Sequence, residues 1–230
     1  MNNGWDSSAA AWIADQGDEG DFSRKHVLDA PMKALIAGRG FRDALDLGCG
    51  EGRFCRIMSA MGLRVTGIDP TAALLAQARK LDPSGDYREG RAEALDLPEN
   101  SFDLVVSYLT LIDIDDAHAA LAETRRVLRP GGSLLIANLN SFATAGTRRA
   151  DGTHQIRDYM TPRAEWQEWR EIRVRNHHRP MQYYMQALLA HGLQLRHFSE
   201  PVPEPGAPPR EAAHHLRFPF FHIMEWQVPA

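Results

Sequence analysis

Ala44-Leu45-Asp46-Leu47-Gly48-Cys49-Gly50-Glu51-Gly52-Arg53-Phe54 reads as an apolar strand, a tight glycine turn and the start of a helix. Ligands of open α/β sheets bind at such strand-to-helix turns. Glycines at 48, 50 and 52 let the main chain turn sharply and approach a ligand with no Cβ in the way. The following helix offers unpaired amide donors. Twenty-one residues after Gly48, the run Arg64-Val65-Thr66-Gly67-Ile68 ends in Asp69, which places a carboxylate at the end of the neighbouring strand. There it can accept both hydroxyls of a ribose. A dinucleotide fingerprint, G-x-G-x-x-G, requires glycine at 53, where this chain has Arg53; the spacing is G-x-G-x-G, and that departure weighs against NAD. The plain alternative is a glycine turn that serves only the fold.

Outward from this loop, short apolar runs alternate with longer amphipathic segments, the pattern of βαβ units and a parallel, doubly wound sheet. The spacing predicts strands at 43–47, 64–68, 85–88, 102–108 and 132–138, and helices at 52–61, 71–81 and 115–128. Arg129-Pro130-Gly131-Gly132 stops the last of these helices and turns the chain into a strand. Residues 5–40 read as two short helices broken by a turn cluster at 16–21. Residues 141–179 are polar, rich in arginine and tryptophan, and lack clean strand periodicity, so they read as an insertion. A helix at 181–191, a strand near 193–198, a proline-rich connector at 201–209 and a final strand at 216–228 complete the chain. In that last strand Phe218, Phe220 and Trp226 share one face and Phe221 takes the other, a core pattern.

Leu45-Asp46-Leu47-Gly48-Cys49-Gly50-Glu51-Gly52 resembles the first motif of class I S-adenosylmethionine-dependent methyltransferases. Gly67-Ile68-Asp69-Pro70 resembles that family's ribose-binding motif, and Gly90-Arg91-Ala92-Glu93-Ala94-Leu95 its adenine-side segment. Ser101-Phe102-Asp103-Leu104-Val105-Val106-Ser107 resembles its fourth strand, and the run from Arg126 to Gly132 the turn before its fifth. The resemblance covers about residues 40–140. It implies a Rossmann-like α/β fold with a mostly parallel, seven-stranded sheet flanked by helices, the last strand antiparallel. It further implies one domain: a helical cap (1–40), a cofactor-binding core (41–140), an insertion or substrate lid (141–180) and a C-terminal helix and strand pair (181–230). The cofactor is S-adenosylmethionine. Gly48, Cys49 and Gly50 line its methionine and ribose portion, Asp69 with Pro70 holds the ribose, and Ala92 and Glu93 flank the adenine. Asp46 lies near the amino group, with loop capping as the alternative, and Ser107 and Tyr108 near the sulfonium. Arg24, with Trp12 as a lid, is the candidate partner of the methionine carboxylate, against a surface arginine and a core tryptophan.

Methyl transfer to an oxygen or nitrogen of a small molecule needs donor and acceptor held in line and dry, so a catalytic base is optional. The acceptor-side candidates are Tyr108, Asp113, His177, His178, Arg179, Tyr183 and Tyr184. His178 is the choice for a general base because imidazole titrates near neutrality; a surface or capping histidine is the alternative. Asp103 reads as a structural hydrogen-bond acceptor, and Asp115 and Asp116 as helix caps. The tandem histidines 177–178 and 214–215 diverge on a regular element, so no metal site is expected. No N-P-P-Y type motif follows the fourth strand, where Ser107-Tyr108-Leu109-Thr110 stands.

At 230 residues, 43% hydrophobic and 24% charged, the composition is that of a globular domain. The formal net charge of -4 supplies no basic field for a phosphate backbone. A small-molecule acceptor is therefore expected rather than nucleic acid. The sequence shows no membrane-spanning run and no signal segment at its start, so a cytoplasmic location is expected. Cys49 and Cys55, the two cysteines, are expected to be reduced. The competing readings are an S-adenosylmethionine-binding protein without transferase activity and an NAD(P)-dependent oxidoreductase. A peptide acceptor and a homodimer stay open.

Overall fold

The computed structural model describes residues 3–17, 19–149 and 151–230. Met1 and Asn2, read above for a signal segment, and Asp18 of the expected turn cluster lie outside them. The chain opens with α1 (Trp5–Gln16), then a π-helical turn (Arg24–Leu28) that runs into α2 (Asp29–Ile36). The alternating core follows as β1 (Asp43–Leu47), α3 (Arg53–Ala60), β2 (Arg64–Asp69), α4 (Ala72–Leu81), β3 (Asp86–Glu89), β4 (Phe102–Tyr108), α5 (Ala117–Val127) and β5 (Leu128–Leu139). Next come α6 (Ser141–Ala145), β6 (Gly146–Arg148), β7 (His154–Ile156), β8 (Arg163–Trp169) and β9 (Ile172–His178). The chain closes with α7 (Met181–Ala190), β10 (Gln194–Ser199), α8 (Pro209–His215) and β11 (Phe221–Gln227).

Seven strands pair in the order β10-β11-β5-β4-β1-β2-β3. From β5 to β3 the pairing is parallel, whereas β11 runs antiparallel to both β5 and β10. The antiparallel last strand is as expected. Strand order reverses between β1 and β4, and the loops after these two strands frame the crevice in which such sheets bind ligands. β1 is central because Ala44, Leu45 and Leu47 bury on both faces, as parallel strands covered by helices require. Their side chains feed two cores: Leu45, Leu47, Val105 and Trp226 pack on one face, Ala44, Leu104, Phe54 and Met32 on the other.

Three local expectations change. The turn at Arg129–Gly132 is absorbed into the twelve-residue β5, where the pairing with β4 slips between Phe102 and Leu104. Such an irregularity lets a strand carry the extra residues without ending. The insertion has strands after all: β6 with β7 and β8 with β9 form two antiparallel hairpins. The final strand begins at Phe221, not at 216, because a short helix with Pro209 in its first turn takes up 209–215. Phe218 and Phe220 therefore precede the strand, while Phe221 and Trp226 occupy its two faces as expected. No helix of the described residues is long and apolar enough to cross a membrane.

Candidate active site

A cavity of about 690 Å³ opens at the strand-order reversal, bounded by the loops after β1, β2 and β4, by α1 and the π-helical turn, and by the hairpin β8–β9. The glycine turn is shaped by its surroundings. Gly48 sits at φ +69°, and a Cβ there would lie 2.2 Å from Thr110 Cγ2 in the loop after β4. Gly52, at φ +74°, would meet the Tyr87 ring at 2.6 Å. Only Gly50, at φ +55°, has nearly open space around it, with Leu74 Cδ1 at 3.9 Å. The turn thus needs its outer glycines for the protein's own packing and leaves room at the middle one.

Asp69, at the end of β2, is buried and ties this turn together. Its Oδ2 accepts from the Gly50 amide at 3.0 Å and its Oδ1 from the Thr71 amide at 2.8 Å. Burial raises its carboxyl above the usual range, against those two donors. Asp46, at the end of β1, accepts from Cys55 Sγ at 3.2 Å. Burial, with Asp69 and Glu51 as like-charged neighbours, pushes it up to about 7. Asp46, Glu51 and Asp69 all line the cavity, and none has a cationic side chain within salt-bridge distance among the described residues. Such a cluster favours a cationic ligand and repels a pyrophosphate. It suits a ligand that carries an ammonium and a sulfonium, and it does not suit the pyrophosphate of a dinucleotide.

The N-terminal cap is fastened over this turn by four contacts. Trp12 Nε1 donates to Glu51 Oε2 at 3.0 Å. Arg53 Nε donates to the Glu19 carbonyl at 2.9 Å, and the Arg53 guanidinium forms a buried ion pair with Asp29. Tyr108, at the end of β4, donates its hydroxyl to Asp29 Oδ1 at 2.7 Å. The residue that breaks the dinucleotide fingerprint is therefore the clamp that carries the cap. Arg24 lines the cavity, paired with Asp21 at 2.7 Å and with its guanidinium 4.8 Å over the Trp12 ring.

Of the residues singled out in the sequence, Arg24, Asp46, Gly48, Cys49, Gly50, Asp69, Pro70, Ala92, Glu93, Tyr108 and His178 all line this one cavity. Asp113 and His177 do as well. Ser107 does not: it is 1% exposed and points to the opposite face of β4 from Tyr108, as strand alternation demands. Tyr108 has its ring stacked on Phe54 at 4.7 Å and its hydroxyl engaged by Asp29, so it forms wall rather than a free acid or base. Burial and the Asp29 charge raise its phenol.

Both ring nitrogens of His178 are occupied. Nε2 is 2.8 Å from the Tyr159 carbonyl, which can only accept, so Nδ1 is the acceptor for the Thr144 hydroxyl at 2.7 Å. Burial lowers its pKa, which keeps the ring neutral. Arg179, Tyr183 and Tyr184 stand away from the cavity. Arg179 instead donates to the carbonyls of Leu111, Ile114 and Asp115, pinning the loop after β4, and Tyr184 is in the core. Asp116 caps α5 by accepting from the Ala119 amide at 3.0 Å, whereas Asp115 faces His177 Nε2 at 3.1 Å. Asp103 accepts from the amides of Arg42 and Asp43, the structural part expected of it.

The cavity also takes in Trp5, Thr110, Thr144, Trp169 and Asn176, which the sequence reading did not single out. Trp5 and Trp12 stand seven residues apart, hence on one side of a helix, and that spacing was the available signal.

A family description of a methyltransferase domain matches residues 45–136. Malonyl-[acyl-carrier protein] O-methyltransferase of Yersinia pestis is 36% identical over 120 residues, covering 50% of this chain and 45% of that protein. Ubiquinone biosynthesis O-methyltransferase of Rhodopseudomonas palustris is 34% identical over 150 residues, covering 59% and 58%. The chain spans about half the length of these curated relatives. Among solved structures, an S-adenosylmethionine dependent methyltransferase from Mesorhizobium loti superposes with a TM-score of 0.78 at 28% identity, covering 92% of this chain and 100% of that one. Sheet order, the glycine turn with Asp69, and these likenesses converge on a methyltransferase domain matched over residues 45–136, in a chain whose fold is similar to that of S-adenosylmethionine dependent methyltransferases.

Proposed function

We propose that the protein transfers a methyl group from S-adenosylmethionine to an oxygen or nitrogen of a small molecule. The observation that carries this reading is the continuity of the cavity. Gly50 and Asp69 line the same space as Asp113, Thr144, His177 and Trp169. Donor and acceptor held in one sheltered space meet the main demand of an in-line displacement. Asp46 and Glu51 supply negative potential at the ammonium and sulfonium, Asp69 accepts from the ribose hydroxyls, and Arg24 holds the methionine carboxylate. Ala92 and Glu93 border the adenine.

On the acceptor side, His178 acts through Thr144: its Nδ1 fixes the hydroxyl, whose oxygen is then presented to the cavity. It is a positioning residue, and the transfer passes no proton to it. The cap and the hairpin β8–β9 together exclude water. A cofactor-binding protein without turnover is the alternative, which the same cavity would serve if no acceptor entered it.

Incubation of the purified protein with methyl-labelled S-adenosylmethionine and a fractionated small-molecule extract tests the proposal. The expected result is label in a small organic product with S-adenosylhomocysteine released in equal amount. Cofactor binding without label transfer to any fraction would favour the binding protein instead.

A further inference from the structure

The cavity wall holds seven carboxylates, Asp21, Asp46, Glu51, Asp69, Glu93, Asp113 and Glu165, against three arginines. The arginines are spoken for: Arg24 by Asp21 and, in the reading above, by the cofactor's carboxylate, Arg53 by Asp29 and Arg91 by Glu93. Glu165 is paired with Arg163. Three of the remaining carboxylates surround the glycine turn, where Asp46 and Glu51 meet the cofactor's ammonium and sulfonium and Asp69 its ribose. One, Asp113, is left over in the loop after β4. Asp113 lies in the loop that Arg179 pins, and it accepts from Asn176 Nδ2 at 2.6 Å and from the Trp5 indole. Neither donor carries charge, and no cation lies within 4 Å of it among the described residues. The Trp5 ring stands beside it, and the Trp169 ring lines the same cavity farther along the hairpin.

We propose that the methyl acceptor is an amine, bound as its ammonium by Asp113 with its apolar body against Trp5. A carboxylate acceptor would meet a like charge with no free guanidinium to hold it, and a buried like-charge contact is costly. An ammonium gains an ion pair beside an indole. The chemistry balances: Asp113 takes one proton from the ammonium, and the freed nitrogen lone pair forms the new N–C bond. The methyl–sulfur bond breaks in the same step, and its electron pair stays on sulfur. The products are a protonated N-methyl amine and S-adenosylhomocysteine. This rests on the methyltransferase reading above and goes beyond it in naming the acceptor.

Asp113 is suited to both tasks. Burial pushes its carboxyl up to about 7, with Asp69 adding to the rise, while the Trp5 and Asn176 hydrogen bonds and Arg24 oppose it. On the packed hairpin and the same loop, His177 and Asp115 are paired with each other, and Arg175 and Arg91 also lie within 4.0 Å of Asp115. Amine binding is therefore expected to strengthen as pH rises through about 7, because the carboxyl must be ionised to pair.

Calorimetric titration in the presence of saturating S-adenosylhomocysteine tests this, with phenylethylamine, tryptamine, 4-ethylphenol and 3-phenylpropanoate as probes. The expected result is binding of at least one amine, little or none of the phenol and carboxylate, and about 10- to 100-fold weaker amine binding in Asp113→Asn. If that variant does not fold, Trp5→Phe removes one donor that lowers the Asp113 pKa and is expected to move the acid limb of amine binding to higher pH. Preference for the phenol or the carboxylate, no binding of either amine, or an acid limb unmoved in Trp5→Phe would overturn the proposal while leaving the methyltransferase reading intact. Failure to bind S-adenosylhomocysteine at all would bring down both.

Discussion

Arg53→Met should unfasten the cap. Arg53 and Asp29 are each 8% exposed, and Asp29 has two partners, the Arg53 guanidinium and the Tyr108 hydroxyl. Removing the guanidinium leaves a buried carboxylate with one neutral donor, which costs about 3–5 kcal/mol. For a chain of this length that is a drop of roughly 10 °C in melting temperature. Replacing both charges by apolar residues, Arg53→Met with Asp29→Leu, removes the uncompensated charge but orphans the Tyr108 hydroxyl, at about 1–3 kcal/mol. Adding Tyr108→Phe removes that orphan, so the triple variant should return to within about 1–2 kcal/mol of the starting protein. Urea unfolding followed by circular dichroism measures all three. A loss below about 1 kcal/mol in Arg53→Met, or a triple variant as unstable as the single one, would refute the claim that this buried pair clamps the cap.

Gly48→Ala should fold poorly, since it combines left-handed backbone with a 2.2 Å approach to Thr110 Cγ2; Thr110→Ala in the same chain should recover part of the lost stability, and no recovery would speak against the overlap. His222 is fully buried with no hydrogen-bond partner among the described residues, and burial lowers its pKa to about 4. The unfolded chain takes up a proton near pH 6.5 that the folded chain refuses until about 4, so stability is full above 6.5 and falls as pH drops toward 4, by roughly 3 kcal/mol from this group. In His222→Leu that portion of the pH dependence should vanish; an unchanged slope would show that other groups carry it.

The alternating core was legible because it obeys short-range rules. β1 and β4 are mostly apolar and buried, β2 buries its last three residues, and Asp69 falls at the end of β2, where a strand-end carboxylate is expected. The candidate cofactor residues came with them, save Ser107, whose side chain a one-residue step turns away. The insertion was not legible. In β8 nearly every side chain is half-exposed or exposed, so no apolar alternation marks it, and β6 and β7 have three residues each. β9 does alternate, with Ile172 and Val174 buried between Arg173 and Arg175, but its partner gave no matching pattern. The Arg53–Asp29 clamp and the Asp113–Asn176 contact join residues 24 and 63 positions apart, and nothing in local periodicity couples them. α8 had a local signal, Pro209 ahead of a helix-forming run, that the surrounding prolines obscured.

Calorimetric titration with S-adenosylmethionine, with NADH alongside and Asp69→Ala as the control, tests the central claim most directly. One saturable site for S-adenosylmethionine, no heat with NADH, and affinity lowered at least about 10-fold in Asp69→Ala, where two charge-assisted hydrogen bonds to the ribose are lost, is the result this account predicts. No binding of S-adenosylmethionine, or a preference for NADH, would contradict it.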